Sequence, residues 1–308
     1  MMSHWSILGS GVSGLCVATA LHAHGETVEI ICSAAHTAAS HFAGGMLAPF
    51  CEAEAAPHFQ ALHDFDAIAW WQRYSTQVIQ NGTLVVAAAR DHAELARFSK
   101  RTTQHQCVAP ANIEAELTHF SQALFFKDEA HLDPRLVLVE LKSNLIAKGV
   151  AIHTGQPRGK IIDCRGIYAQ DQLSLRAVRG EMLILRQPEL HFSRPIRLLH
   201  PRFPCYLVPR AQGQFMLGAT MLESDSRQPM TARSMMELLS AAYTIHPAFA
   251  EAAIIETGVG LRPAYSDNIP KILYQNNAFY INGMHRHGFL CAPWLAEQLI
   301  QHIAGSAV

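Results

Sequence analysis

The start of the chain restricts its fold more than any other stretch. Ser6-Ile7-Leu8 runs into Gly9-Ser10-Gly11-Val12-Ser13-Gly14 and then into the apolar run from Leu15 to Leu21, the pattern of a strand, a glycine turn and a helix. Each glycine answers a separate steric demand: Gly9 makes the tight turn, Gly11 lets backbone approach a pyrophosphate, and Gly14 lets the helix pack on the strand. The unpaired N–H groups and dipole of the helix N-terminus suit an anion there. Thr27-Val28-Glu29-Ile30-Ile31 reads as a second strand and completes a βαβ unit for binding a dinucleotide. The plainer alternative is a glycine turn with a purely structural role. The acid that ordinarily closes the second strand and holds an adenosine ribose is missing, and Cys32-Ser33 stands in its place.

A length of 308 residues allows one large domain or two interleaved ones, with a sizeable core. Charged residues are 16% of the chain and apolar residues 49%, which points to a compact, enzyme-like body. Net charge -1 and a pI near 7.0 leave no global basic surface, so nucleic acid is not an expected partner. The cysteines at 16, 32, 51, 107, 164, 205 and 291 have no C-x-x-C and no regular spacing, and read as reduced, mostly buried thiols. No apolar run approaches the roughly twenty residues of a membrane span. The run after Gly14 lacks the basic leader of a signal peptide. The expected location is the cytoplasm, with no membrane partner.

Further along, Ala38 to Pro49 is too small and glycine-rich for a helix in its middle, and would let backbone come close to a flat ligand or serve as a loop. Apolar residues recur at helical spacing from Asp64 to Gln80, where the Trp70-Trp71 pair reads as core. Thr83 to Ala88 reads as a strand, Asp91 caps a short polar helix, and 101–125 carries little periodicity. Asp133-Pro134 opens a helix that Gly149 closes. Strands are expected at Val150 to His153, Lys160 to Cys164 and Glu181 to Leu185. Cys205 to Pro209 and Gln214 to Gly218 form a hairpin across Ala211-Gln212-Gly213. Thr231 caps a helix to Thr244. The end repeats the start: a strand at Ala278 to Ile281, a glycine turn from Gly283 to Gly288, and a helix that Pro293 begins.

Three stretches taken together are the most specific. They are the N-terminal glycine turn, Ala43-Gly44-Gly45-Met46-Leu47-Ala48-Pro49, and Gly260-Leu261-Arg262-Pro263 with Asp267-Asn268-Ile269-Pro270 and the closing Gly283-Met284-His285-Arg286-His287-Gly288-Phe289-Leu290-Cys291-Ala292-Pro293. The combination resembles the flavin-dependent amine oxidases of the D-amino acid oxidase family, and within them the glycine oxidases of thiamine biosynthesis, over about residues 4 to 304. The resemblance implies an α/β fold in which an FAD-binding Rossmann-like domain of the GR2 type is interleaved with an antiparallel-sheet α+β substrate domain. The FAD-binding domain would be discontinuous, from 1–57, 131–180 and 258–308, with 58–130 and 181–257 forming the substrate domain.

By position, the resemblance implies that Gly9, Gly11, Val12, Ser13 and Gly14 meet the FAD pyrophosphate. Cys32 and Ser33 would meet the adenosine end, and Ala39, Ser40, Gly44, Gly45 and Met46 the remaining nucleotide and the flavin. Met284, His285, Arg286, His287, Gly288, Phe289 and Leu290 would wrap the pyrimidine side of the isoalloxazine. Arg262 matches the arginine that grips the substrate carboxylate, with Tyr206 and Arg286 as helpers. An arginine fork is the best bidentate partner for a carboxylate, and a tyrosine hydroxyl adds a donor without charge. Hydride would pass from the α-carbon to flavin N5, so positioning matters more than acid–base chemistry and no side chain is expected to act as general base. The plainer readings are a salt bridge for Arg262, a half-buried strand tyrosine for Tyr206, and a partner of backbone carbonyls for Arg286. His285-x-His287 and His22-x-His24 have no cysteine or carboxylate at ligand spacing, so no metal is expected.

The implied activity is oxidation of glycine or a close small amino acid to its imine, with oxygen reduced to hydrogen peroxide and the imine supplied to thiazole formation. A dehydrogenase or oxidase acting on another D-amino acid or a sarcosine-like amine, and a flavin-free binding or scaffold protein of the same fold, are the rival readings. The family tendency toward homo-oligomers leaves the assembly state open.

Overall fold

The glycine turn folds as its spacing predicts. In a computed structural model that describes residues 4–33, 37–54, 65–200 and 202–305, the strands His4–Leu8 and Thr27–Ile31 run parallel, joined through the helix Val12–Ala23. A Cβ on Gly14 would lie 1.9 Å from the Gly9 carbonyl oxygen, so only glycine lets this helix start so close to the strand. Gly9 has φ +103°, and its N–H donates to the Ile31 carbonyl at 2.8 Å, pinning the turn across the sheet. Both strands are buried along their centres, as expected of a parallel sheet covered on both faces.

That sheet has six strands in the order Lys271–Gln275, Ala278–Asn282, Lys160–Asp163, His4–Leu8, Thr27–Ile31 and Ala151–His153. All neighbours are parallel except the first pair. A nine-stranded sheet stands beside it, mostly antiparallel, with one parallel pair between Ile196–Leu198 and Thr83–Val86. Its longest ladder joins Arg176–Arg186 to Ala253–Ala264, with Val178 opposite Arg262 and Gly180 opposite Gly260. Both strands lie within the nine-stranded sheet, and residues 180 and 257 fall inside them. One apolar core surrounds the helix Val12–Ala23, and another lies between the nine-stranded sheet and the helix Ala232–Ile245.

Local signals set most elements. Asp133 caps Pro134–Ala147 by accepting from the N–H groups of Arg135 and Leu136, and Thr231 caps Ala232–Ile245 by accepting from Ser234. The hairpin of Cys205–Pro209 and Gln214–Gly218 turns through Gln212 and Gly213, both at positive φ. The helix expected from Asp64 to Gln80 is shorter, Ala67–Tyr74, with Asp66 as its cap; Asp64 lies outside the described residues. It stops because Glu140 captures both the Ser75 hydroxyl and the Thr76 N–H, drawing the chain away from the helical path. Trp71 is fully buried and Trp70 nearly so, as core residues.

The last helix runs Gly288–Gly305 and begins ahead of Pro293 rather than at it. Proline has no N–H for the carbonyl four residues back. That carbonyl, on Phe289, accepts instead from the Trp71 indole N–H at 2.8 Å, which replaces the hydrogen bond that an interior proline forfeits. Among the described residues no helix is long and apolar enough to cross a membrane. All seven cysteines are free, five of them buried.

Candidate active site

A cavity of about 1730 Å³ opens between the two sheets, larger than the roughly 300–1,000 Å³ of an ordinary small-molecule site. Gly9, Gly11, Val12 and Ser13 line one end, where the helix Val12–Ala23 begins with Gly11 as N-cap, no side-chain cap and no acid in its first turn. A Cβ on Gly11 would meet only Ala38 Cβ and Ser40 Oγ, both at 3.4 Å. The Val12 N–H points at the Ser40 hydroxyl at 3.3 Å. Gly14 alone of the expected cofactor residues does not line the cavity, because its place is the helix–strand contact.

Cys32 and Ser33 line the same end. The Cys32 thiol donates to the His153 carbonyl at 3.6 Å. Glu29, the one acid of that strand, is committed to structure: it accepts from the Ser6 hydroxyl at 2.6 Å and from Arg158 Nε at 2.7 Å. Hydrogen bonds from Ser6, Arg158 and His153 outweigh its burial and hold its carboxyl down at about 2.

Ala39, Ser40, Gly44, Gly45 and Met46 line the middle. Gly45 has φ +74°, and a Cβ there would fall 2.2 Å from the Leu132 carbonyl oxygen. The segment from Met284 to Leu290 lines the facing wall, tied down by a 3.0 Å bond from the His285 N–H to the Pro263 carbonyl. At this wall the helix Gly288–Gly305 begins, and its start packs beside that of Val12–Ala23, a Cβ on Gly288 lying 3.3 Å from the Val12 side chain, so two helix N-termini meet the cavity side by side. Burial, then Arg262 and Arg286, lower the His285 imidazole to about 3, so it is neutral at physiological pH, with Nε2 buried and unpartnered among the described residues.

At the inner end Arg262, Tyr206 and Arg286 come together. The Arg262 side chain crosses Gly180, where a Cβ would lie 2.3 Å from the guanidinium, and Nη1 donates to the Thr220 carbonyl at 3.0 Å. No carboxylate among the described residues pairs with it. Burial and Arg286 pull its pKa down to about 10, which leaves it charged at neutral pH.

Glu52 joins the other two, a residue that sequence reading did not single out. It closes the short helix Pro49–Glu52, is buried, and lines the cavity. It pairs with Arg286 at 2.8 Å and Arg197 at 3.4 Å, and the Tyr206 hydroxyl donates its proton to Glu52 Oε1. Against the cost of burial, Arg286, Arg197 and His287 hold the Glu52 carboxyl down at about 2. Tyr206 therefore offers a ligand its ring and a lone pair, not the donor expected of it. Gly180 and Arg197 were missed as well. A single glycine in a strand and an arginine whose partners lie 145 and 143 residues away leave no local pattern.

Behind Glu52 lies Glu129, fully enclosed, accepting from the Phe50 and Cys51 N–H groups at 3.1 and 2.7 Å. Burial pushes its carboxyl up to about 8 despite those bonds and the Thr83 hydroxyl beside it. The folded state thus keeps a proton that the unfolded chain releases near its ordinary 4.5. This contribution is full below about pH 4.5 and is lost as pH rises toward 8. Glu129→Gln, which keeps the shape and the accepting oxygen, is expected to flatten that loss by on the order of a few kcal/mol. Denaturant unfolding at pH 5 and pH 8.5 checks it, and parallel profiles for variant and wild type would contradict it.

The residues fit a dinucleotide with a flat ring: an uncapped helix N-terminus against a crowded glycine turn at one end, and backbone held close to the cavity at the other. Comparison with known proteins decides which. The sequence profile of the FAD dependent oxidoreductase (DAO) family matches residues 4–302. The chain belongs to this family. The resemblance carried by the two glycine turns and the Gly260–Pro263 stretch is borne out, and the cofactor is FAD. A Rhizobium etli protein provisionally named thiamine biosynthesis oxidoreductase ThiO is 46% identical, covering 96% of this chain and 94% of its own. The same fold occurs in the glycine oxidase of Bacillus cereus, at TM-score 0.84, 19% identity and coverage of 99% of this chain and 95% of that one. It also occurs in the glycine oxidase of Geobacillus kaustophilus, at 0.79, 18%, 97% and 94%.

Proposed function

We propose that this FAD-dependent oxidoreductase is a cytoplasmic amino acid oxidase that converts glycine, or a close small amino acid, to its imine. Oxygen is the electron acceptor and becomes hydrogen peroxide, and the imine supplies thiazole formation in thiamine biosynthesis. The name of the Rhizobium etli relative supports the pathway, and those of the two glycine oxidases support the substrate class. The observation that carries the reading is Arg262, a charged guanidinium facing the cavity with no acid among the described residues to neutralise it. A buried cation without a partner is costly unless a ligand supplies the anion, and a planar guanidinium suits a carboxylate best.

In this reading Arg262 holds the substrate carboxylate, Gly180 leaves room for the guanidinium, and Thr220 fixes its direction. FAD, when bound, supplies the acceptor for the hydride, which carries both electrons. The side chains of Phe42 and Met216 present an apolar surface that limits water around the substrate. Gly9, Gly11, Val12, Ser13, Cys32 and Ser33 hold the nucleotide end, and the segment from Met284 to Leu290 holds the flavin end. We divide the chain into 1–57, 131–180 and 258–308 for FAD and 58–130 and 181–257 for substrate, with Gly180 and Arg262 reaching the substrate from the FAD-binding segments.

Aerobic incubation of the holoenzyme with glycine tests the reading. One hydrogen peroxide should appear per oxygen consumed, with glyoxylate and ammonia from hydrolysis of the imine. Turnover only with an artificial acceptor would make it a dehydrogenase, and turnover with sarcosine but not glycine would move the substrate.

A further inference from the structure

The charges at the inner end of the cavity do not cancel, and the remainder selects a ligand. Three guanidinium groups meet there, on Arg197, Arg262 and Arg286, with two carboxylates on Glu52 and Glu54. Arg286 pairs with Glu52 at 2.8 Å. Arg197 pairs with Glu52 and Glu54, each at 3.4 Å, and also donates to the Cys51 carbonyl at 2.9 Å. Glu54 is shared in turn with the solvent-facing Arg101 at 2.8 Å. Arg262 is left as the cation without a carboxylate among the described residues.

From this arrangement we infer that Glu52 is the specificity-determining residue that restricts the pocket to ligands bearing one carboxylate. The inference rests on the proposed reading of Arg262 as the carboxylate anchor. One carboxylate of a ligand meets Arg262. A second, reaching toward Arg286, finds that guanidinium already neutralised and meets the Glu52 oxygens instead. Tyr206 strengthens the exclusion, because its hydroxyl gives its proton to Glu52 and has none for an incoming anion. Like charges set against each other are the usual means of rejecting a wrong partner, and a desolvated pair is worth enough to decide it. Removing the Glu52 charge while keeping its shape frees Arg286 for a second carboxylate.

The test is calorimetric titration of the FAD-loaded full chain with glycolate and with malonate, in wild type, Glu52→Gln and Arg286→Gln. For Glu52→Gln the ratio of malonate to glycolate dissociation constants should fall about tenfold or more, which corresponds to about 1.4 kcal/mol. For Arg286→Gln, which leaves the Glu52 charge in place, the ratio should rise. A merely structural role for Glu52 would weaken both anions together and leave the ratio unmoved in both variants, which would overturn the inference. So would a wild-type protein that binds malonate as tightly as glycolate. If Glu52→Gln fails to fold, the Arg286→Gln ratio and the wild-type ratio still decide. Absence of flavin reduction by any amino acid would instead sink the oxidase reading, since the anion ratios are read without turnover.

Discussion

Arg262→Ala is expected to lower kcat/KM for glycine by about 30- to 4,000-fold while flavin content stays at the wild-type level. The range is the roughly 2–5 kcal/mol lost when one member of a buried charge pair is truncated, at 1.4 kcal/mol per tenfold. Arg262 lies in the ladder against Arg176–Arg186, opposite Val178, so its backbone is fixed by strand pairing and not by a mobile loop. Gly180 gives the guanidinium its room, and the Thr220 carbonyl takes one N–H, which leaves the rest of the fork for a ligand. Arg262→Lys should recover only part of the loss, because an ammonium keeps the charge without the planar pair of donors. Steady-state kinetics with flavin quantified in each preparation checks this. A change of less than threefold would place carboxylate binding elsewhere.

Gly14→Ala is expected to destabilise the protein by on the order of 3 kcal/mol or more and to strip it of flavin. The new methyl would sit 1.9 Å from the Gly9 carbonyl oxygen, which is backbone and cannot swing aside. The helix must move off the strand, with the cost of overpacking in a core of close-fitting atoms. Gly11→Ala is the informative contrast. Its Cβ meets only Ala38 and Ser40 at 3.4 Å, so the fold should survive and the penalty should fall on the cofactor that approaches there. Thermal unfolding of the apoproteins, together with bound flavin per chain, separates the two. Equal unfolding temperatures for Gly14→Ala and wild type would contradict the assigned role of Gly14.

The two glycine turns were legible because their causes are local: a positive φ, a contact within six residues or a helix start needs only neighbours in sequence. The caps at Asp133 and Thr231 were legible for the same reason. Pro293 misled in the opposite direction. It marks a helix start by local rules, yet the helix begins at Gly288 because an indole from Trp71 satisfies the freed carbonyl from 218 residues away. The strand Ala253–Ala264 shows irregular burial along its length, since one stretch lies against solvent and another against the cavity, so no clean alternation announced it.

Glu52 was invisible on the same principle. A lone acid at the end of a four-residue helix has no pattern of its own, and its tyrosine partner is 154 residues distant. Arg262 and Tyr206 were reached through family resemblance, which placed them in the site but gave no sign that the tyrosine proton is already engaged. Cys32 was legible as a departure. The structure adds that the only acid of its strand is bound to Ser6, Arg158 and His153 and is not available to a ribose.

The central claim is that a cavity whose Arg262 guanidinium meets no carboxylate among the described residues accepts an amino monocarboxylate, which gives its hydride to FAD when FAD is bound. Anaerobic addition of glycine to the purified holoenzyme, followed by absorption, tests it in one step. The account predicts that the flavin bands bleach in wild type at a glycine concentration that leaves Arg262→Ala oxidised. Bands that persist in wild type with glycine and with other small amino acids would contradict it.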